Sequence, residues 1–450
     1  MAIPLKLMDN HKGALQFWQE LGVSGATCVH VDAHLDASNF GVPEPGELEH
    51  PEINCGNFLL PALHQGLVEH LIWVVPPHLA DGQPLLPWAR HELQNWMWLT
   101  ADEFRSLHLD GPRVEGTMAG RRLTICQAGD LPALPGPVLV DIDVDYHFKL
   151  DDTIWQTPMQ LHDLLRPLTP AAVTVAASVE GGYTPLQHRY SADITALCWS
   201  GQRGRADTLW GYLHHGLDVP DAPAWAQAAR CAVQACQQGA VYEGPGWEAA
   251  ARLDDGYRPV PLDVAAYYLH RKAFDRCAPW LARVGNGLPG LTARYMEGLI
   301  AWRQGRWEEA DAAWAQVLQA DLPGAVLAHV EEMRAKALAD AGRPGLAVLQ
   351  FQAAILRTPP SPERASRLRQ LGHAYRALGQ PEQAARTWRQ AVRLVPDHLA
   401  TLPIRWELAQ MYVATGQIML AQAELAHLLR QDDDGLAAKA RVLALSLKPG

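Results

Sequence analysis

A chain of 450 residues is long for one domain and ample for two. Hydrophobic residues make up 48% and charged residues 19%, which excludes a disordered chain and allows sizeable cores. The net charge of −11 argues against a general binder of phosphate backbones, which needs a basic face, and leaves room for a cationic ligand.

The N-terminal stretch MAIPLKLMDNHK reaches Asp9 before any long apolar run, so no signal peptide is expected. No run of about 18 apolar residues predicts a membrane span. Seven cysteines, an odd number with no CxxC pair, fit a reducing compartment, so the expected location is the cytoplasm. From residue 11 to residue 199, apolar β-branched runs alternate with helix-like stretches. Strands are expected at 26–32, 70–75, 122–128, 137–144 and 171–179. Helices are expected at 11–22, 56–70, 88–98, 157–168 and 186–199. Near-continuous apolar strands separated by helices predict a three-layer α/β domain around a parallel sheet, with its ligand at the carboxyl ends of the strands. Gly, Pro and charge dominate around 201–262, and a domain boundary is expected near 240–260.

The remainder repeats. Gly305, Gly342, Gly379 and Gly416 are spaced 37 residues apart, and Ala310, Ala347, Ala384 and Ala421 keep the same step. Each glycine suits the left-handed end of one amphipathic helix, and each alanine lets the next helix pack closely. The pattern resembles tetratricopeptide repeats, best in LGHAYRALGQPEQAARTW, and predicts an all-α helical repeat domain over 263–450, with 263–285 as a degenerate repeat or cap. Trp302, Trp307, Trp314 and Trp388 sit at helical spacing, as packing residues do.

Three segments are too polar for strand ends. His30, Asp32, His34 and Asp36 alternate at the end of the first strand, and Asp141, Asp143 and Asp145 at the end of the fourth. Alternate strand residues share a face. Carboxylates this dense repel one another, and a divalent cation removes the conflict. Oxygen ligands with one or two imidazoles suit Mn²⁺ better than structural zinc. The third segment, Ser178-Val179-Glu180-Gly181-Gly182-Tyr183, ends the last strand.

Together these segments resemble the arginase/deacetylase superfamily. HVDAHLD is similar to its DAHxD motif, VDIDVD to its SxDxD motif, and Asp9-Asn10-His11 stands where its DH motif falls. MDNHKGALQFW, VHVDAHLD, DIDVDY and SVEGGYTP in combination resemble more narrowly a family of arginase-like domains, some of which are peptide arginases that convert arginine to ornithine in ribosomally made peptides. The resemblance covers roughly 1–200, within a metallohydrolase domain expected over 1–250. It implies a hydrolase with two Mn²⁺ ions that releases urea from peptidyl arginine. His11, Asp32 and Asp36 would hold one ion, and Asp32 and His34 would share the second with the other strand. Either Asp141/Asp143 or Asp143/Asp145 fits the second motif. The latter is preferred, because Asp141 then falls level with His30 and the two can pair behind the metals. Glu180 would grip the substrate guanidinium and Asp36 would assist the attacking water. Tyr183 would contact substrate, or, as in deacetylases of this fold, polarise a scissile amide, which is the rival reading; a non-catalytic peptide-binding scaffold is a third. Cys55-Gly56-Asn57-Phe58-Leu59 lacks the proton-shuttling histidine of arginases, and the loop 37–55 lacks their polar run for the α-carboxylate of free arginine. Both departures favour a guanidine carried on a larger molecule. The expected partner is an arginine-containing precursor peptide held by the repeats, with no nucleic acid and no membrane.

Overall fold

A computed structural model describes residues 3–38, 53–96, 99–134, 136–430 and 434–447. These residues divide into two compact units. The first comprises the described residues up to 38, those of 53–89, and 109–293; the second comprises 90–108 and the residues from 294 onward.

The first unit is built on strands β1 (Leu5–Met8), β2 (Ala26–Val31) and β3 (Val68–Val74), with helix α1 (Lys12–Glu20) after β1 and α2 (Leu59–His64) between β2 and β3. Along the chain come next helix α3 (Leu85–Trp96), most of which lies in the second unit, and helix α4 (Ala101–Ser106), which lies wholly in it, then β4 (His108–Asp110), β5 (Arg113–Met118), β6 (Arg121–Cys126) and β7 (Val138–Asp143). Helix α5 (Pro158–Leu165) leads to β8 (Ala172–Ala176), and helices α6 (Tyr190–Trp199), α7 (Arg203–His214), α8 (Ala224–Gln237), α9 (Pro245–Leu253), α10 (Pro261–His270) and α11 (Phe274–Leu281) complete the series.

The eight strands form one sheet in the order β1-β8-β7-β2-β3-β6-β5-β4. It is parallel from β1 to β6, but β5 runs antiparallel to β6, so the sheet is mixed rather than wholly parallel. Every residue of β2, β7 and β8 is buried, as strands covered on both faces require. On one face Val29, Val31, Val140, Ile142, Val173 and Val175 join the core with Leu161 and Leu165 of α5 and Ala192 and Trp199 of α6. On the other face, the ring of His30 lies 6.1 Å from that of Phe58, which in turn lies 5.9 Å from Trp18 of α1. The expected helix at 56–70 is cut short: Gly66 turns the chain with φ 71°, and Val68 already pairs with β2.

Residues 263–293 belong with the first unit rather than with the repeats. The reason is a backbone contact: Gly182 sits so close to α10 that a Cβ there would lie 2.2 Å from the Tyr267 nitrogen.

The second unit continues through α12 (Leu288–Arg303), whose last turns lie in it, α13 (Trp307–Val317), α14 (Gly324–Asp340), α15 (Pro344–Arg357), α16 (Pro362–Ala377), α17 (Pro381–Leu394), α18 (Leu402–Ala414), α19 (Ile418–Leu428) and α20 (Asp434–Ser446). The helical repeats expected from the sequence are present. Gly305, Gly342, Gly379 and Gly416 follow α12, α14, α16 and α18 with φ of 73°, 71°, 70° and 72°. After each, the next backbone N–H donates back to the helix at 2.8–3.0 Å, as Arg343 does to Leu338 and Gln417 to Tyr412. Ala310, Ala347, Ala384 and Ala421 are fully buried. Trp314 and Trp388, also fully buried, cross over Gly298 and Gly372, and their indole nitrogens donate to Tyr295 and Arg369 carbonyls at 3.1 and 2.9 Å.

Candidate metal centre

The polar cluster forms where β1, β2, β7 and β8 stop. In register, His30 of β2 pairs with Asp141 of β7, and Asp141 with Thr174 of β8. Their side chains form a buried hydrogen-bonded row: His30 Nδ1 lies 2.8 Å from Asp141 Oδ2, and the Thr174 hydroxyl donates to Asp141 Oδ1. The expected pairing of His30 with Asp141 is therefore present as a contact.

Beyond this row the strand period no longer operates, since β2 ends at Val31. Turn geometry takes over. The His34 backbone N–H donates to Asp32 Oδ1 at 2.7 Å, and Asp36 adopts a left-handed φ of 50°. Similarly, the Asp145 N–H donates to Asp143 Oδ1 at 2.9 Å in a short 3₁₀ turn after β7. His11 caps α1 immediately after β1, the strand that places it beside the others.

The side chains converge closely. His11 Nδ1 lies 3.1 Å from Asp36 Oδ2, 3.3 Å from Asp32 Oδ2 and 3.4 Å from Asp143 Oδ2. His34 Nδ1 lies 3.0 Å from Asp145 Oδ2 and 3.5 Å from Asp32 Oδ1. Three overlapping sets each bring potential ligand atoms within 4.8 Å of one another: His11/Asp32/Asp143, His30/Asp32/Asp36 and Asp32/His34/Asp145. Asp32 is common to all three. Asp143 and Asp145 enter these sets, while Asp141 is engaged by His30 and Thr174. His34 is the most open member, its side chain 51% exposed; the aspartates and the other two imidazoles are buried.

The electrostatics are in conflict without a cation. Burial would lower the pKa of His11, but the carboxylates of Asp141, Asp143, Asp32 and Asp36 raise it well above the usual imidazole value. The same opposition lifts His30 to about 10 through Asp141 and Asp32, and raises His34 through Asp145 and Asp32. Burial and the charge of Asp32 push Asp36 up to about 6, and burial with Asp145 and Asp32 raises Asp143. Asp32 itself is held well below the carboxylate range: burial opposes this, but the three imidazoles outweigh it. Imidazoles that gain protons beside carboxylates that resist losing them are what a cation-binding cluster does when protons stand in for the cation. Asp32 Oδ2, fully buried, has no hydrogen-bond partner among the described residues. The donor set therefore fits divalent cations, hard oxygen ligands with a minority of imidazole nitrogen.

Glu180 and Tyr183 stand at the rim. Asn10 Nδ2 donates to Glu180 Oε2 at 2.6 Å, tying the glutamate to the residue that precedes His11. The Tyr183 ring lies edge-on to His34, centroids 5.0 Å apart. Of the two glycines between them, Gly182 seats the turn against α10. Sequence reasoning passed over Asn10, Thr174 and Ser178, whose hydroxyl donates to Asp143 Oδ2. Of these, Asn10 and Ser178 lie inside the quoted motifs, so their signal was there to read. Cys55 and Asn57 are described, whereas most of the loop 37–55 lies outside the described residues.

No protein-family model matches the chain, and no curated protein matches it. Among solved structures the chain is similar to the Cut9-Hcn1 hetero-tetramer of APC/C, at 15% identity over 64% of this chain and 52% of that one, with a TM-score of 0.32. It is also similar to TTC0263, a thermophilic TPR protein of Thermus thermophilus, at 19% identity over 48% of this chain and 96% of that one, with a TM-score of 0.27. The chain thus spans about half the length of the first of these.

Proposed function

We propose that the first unit is a hydrolase of guanidino groups that depends on two Mn²⁺ ions and converts peptidyl arginine to ornithine with release of urea. One observation carries the reading: Asp32 stands at the centre of overlapping His/Asp ligand sets at the carboxyl ends of adjacent strands. His11, Asp32, Asp36 and Asp143 would hold one cation, and Asp32, His34, Asp143 and Asp145 the other. Bound there, divalent cations supply Lewis acidity that makes water a competent nucleophile near neutral pH.

The remaining steps belong to the chain. Glu180 accepts two hydrogen bonds from the guanidinium fork and is itself steadied by Asn10. Asp36 takes up the proton as water adds to the guanidinium carbon. The carbon–nitrogen bond to the side chain then breaks, the leaving amine takes the proton back from Asp36, and urea departs. Tyr183 borders the substrate beside His34. The helical repeats would hold the precursor peptide, since stacked helix pairs present an extended surface for peptide segments.

The test is to count Mn²⁺ per chain and assay urea from an arginine-containing peptide, free arginine and agmatine. Two cations with urea from the peptide are expected, and Glu180→Gln should then lower turnover by at least about a hundred-fold. Two cations with no urea from any guanidine would sink the reading and point to the amide hydrolase, with Tyr183 polarising the amide. Absence of stoichiometric metal would leave a binding scaffold.

A further inference from the structure

Glu180 has a second acidic neighbour that nothing in its own motif signals. The turn at 180–182 is pinned by α10: Gly181 N–H donates to Asp263 Oδ1 at 3.3 Å, and Gly181 O lies 3.0 Å from His270 Nε2. A pocket of about 400 Å³ opens there, with Asp9, Glu180, Thr184, Arg189, Arg258 and Asp263 in its lining. The cluster carboxylates and imidazoles are not part of that lining among the described residues.

The charges around this pocket do not cancel. Arg189 is taken by Asp9 at 3.2 Å and Asp193 at 3.8 Å, and Arg258 by Asp255 at 2.7 Å. Glu180 accepts from a neutral amide and Asp263 from a backbone N–H; neither forms an ion pair among the described residues. Burial together with the charge of Glu180 lifts Asp263 to about 6. Independently, Thr184, only 1% exposed, lines the same pocket, and its hydroxyl has no hydrogen-bond partner among the described residues. A buried hydroxyl left without a partner costs free energy that a ligand donor or acceptor would recover.

We propose that this pocket is a subsite for a second cationic group of the substrate, with Asp263 and Glu180 as its counter-charges; this rests on the guanidine-hydrolase reading. Glu180 would then face both the reacting guanidinium and the second cation. The substrate class narrows to arginine next to another positive charge, either a basic side chain in the peptide or a free α-amine.

The experiment is isothermal titration of the full chain, with and without Mn²⁺, using blocked peptides in which arginine is followed by lysine, norleucine or glutamate. A fourth peptide, with norleucine and an unblocked N-terminal arginine, reports the α-amine. The lysine or the unblocked peptide should bind at least about five-fold tighter than the blocked norleucine peptide. Asp263→Asn keeps an oxygen for the Gly181 N–H and should erase that preference while leaving the norleucine peptide unchanged. The comparison among peptides does not depend on any variant folding. Equal affinity for all four, or a preference that survives in Asp263→Asn, overturns the subsite. A preference for the second charge without urea release from any peptide overturns the hydrolase reading instead.

Discussion

Both units bury charge, and they treat it in opposite ways. In the second unit Arg367 of α16 is only 2% exposed, yet it is fully compensated. Its guanidinium lies 2.9 Å from Glu332 and 2.6 Å from Glu363, and Lys336 lies 2.7 Å from Glu332. In the first unit five aspartates, Asp32, Asp36, Asp141, Asp143 and Asp145, crowd around three imidazoles, and the buried Asp32 Oδ2 is left without a hydrogen-bond partner among the described residues. Buried ion pairs that balance within the chain support a structure; buried charges that do not balance await something from outside.

The comparison breaks most visibly at Asp143. In Asp143→Asn the repulsion from Asp145 and Asp32 is relieved, so the metal-free protein should melt no lower than wild type at pH 7. Metal affinity should nevertheless fall by at least about a hundred-fold, a loss that exceeds what partners behind a ligand usually carry. Equilibrium dialysis against Mn²⁺ beside a thermal melt checks both halves. A variant that binds Mn²⁺ normally would remove Asp143 from the proposed ligands.

Arg367→Met is the counterpart in the repeats. It keeps the volume but strands Glu363 and leaves Glu332 with Lys336 alone, and should cost about 3–5 kcal/mol. Chemical denaturation followed by circular dichroism should show an earlier loss of helix. An unchanged midpoint would mean the pair is dispensable.

Acid sharpens the contrast. Glu332 is held down to about 2, against burial, by Lys336 and Arg367. A depressed carboxyl contributes stability above its unfolded value near 4.5 and loses it as the pH falls through about 2, roughly 3 kcal/mol in all. Asp36 is raised to about 6, chiefly by burial. Its contribution to the metal-free protein is present below its unfolded value near 3.8 and is lost as the pH rises towards about 6, again roughly 3 kcal/mol. Hydrogen exchange, corrected for intrinsic rates, should show β2 and β7 of the metal-free protein losing protection between pH 4 and 6. Helices α14 to α16 should lose it only below pH 4.5. The same pH trend in both regions would contradict the contrast.

Much of this was legible in the chain. The 37-residue recurrence of Gly and Ala predicts the helix pairs because cap geometry and close helix approach are local demands, met by single residue types at fixed steps. Apolar runs ending in alternating His and Asp pointed to the polar strand ends for a similar local reason. The edges of the sheet were not legible: β1 has only four residues and β4 three, too short to show a period. The convergence at the cluster was equally hidden past Val31, where turns rather than strand alternation orient His34, Asp36 and Asp145.

By itself, the sequence determined the inner strands and the repeats and which side chains crowd the strand ends, since those depend on neighbours along the chain. Sequence left two registers open for Asp141, Asp143 and Asp145; tertiary structure brings Asp143 and Asp145 into the potential ligand sets and Asp141 to His30 and Thr174, through the register of β7 against β2, over a hundred residues away, and against β8. It also decided that α10 belongs to the first unit and brings Asp263 beside Glu180. A glycine with no Cβ lets the two backbones meet there, and no local pattern records which helix arrives.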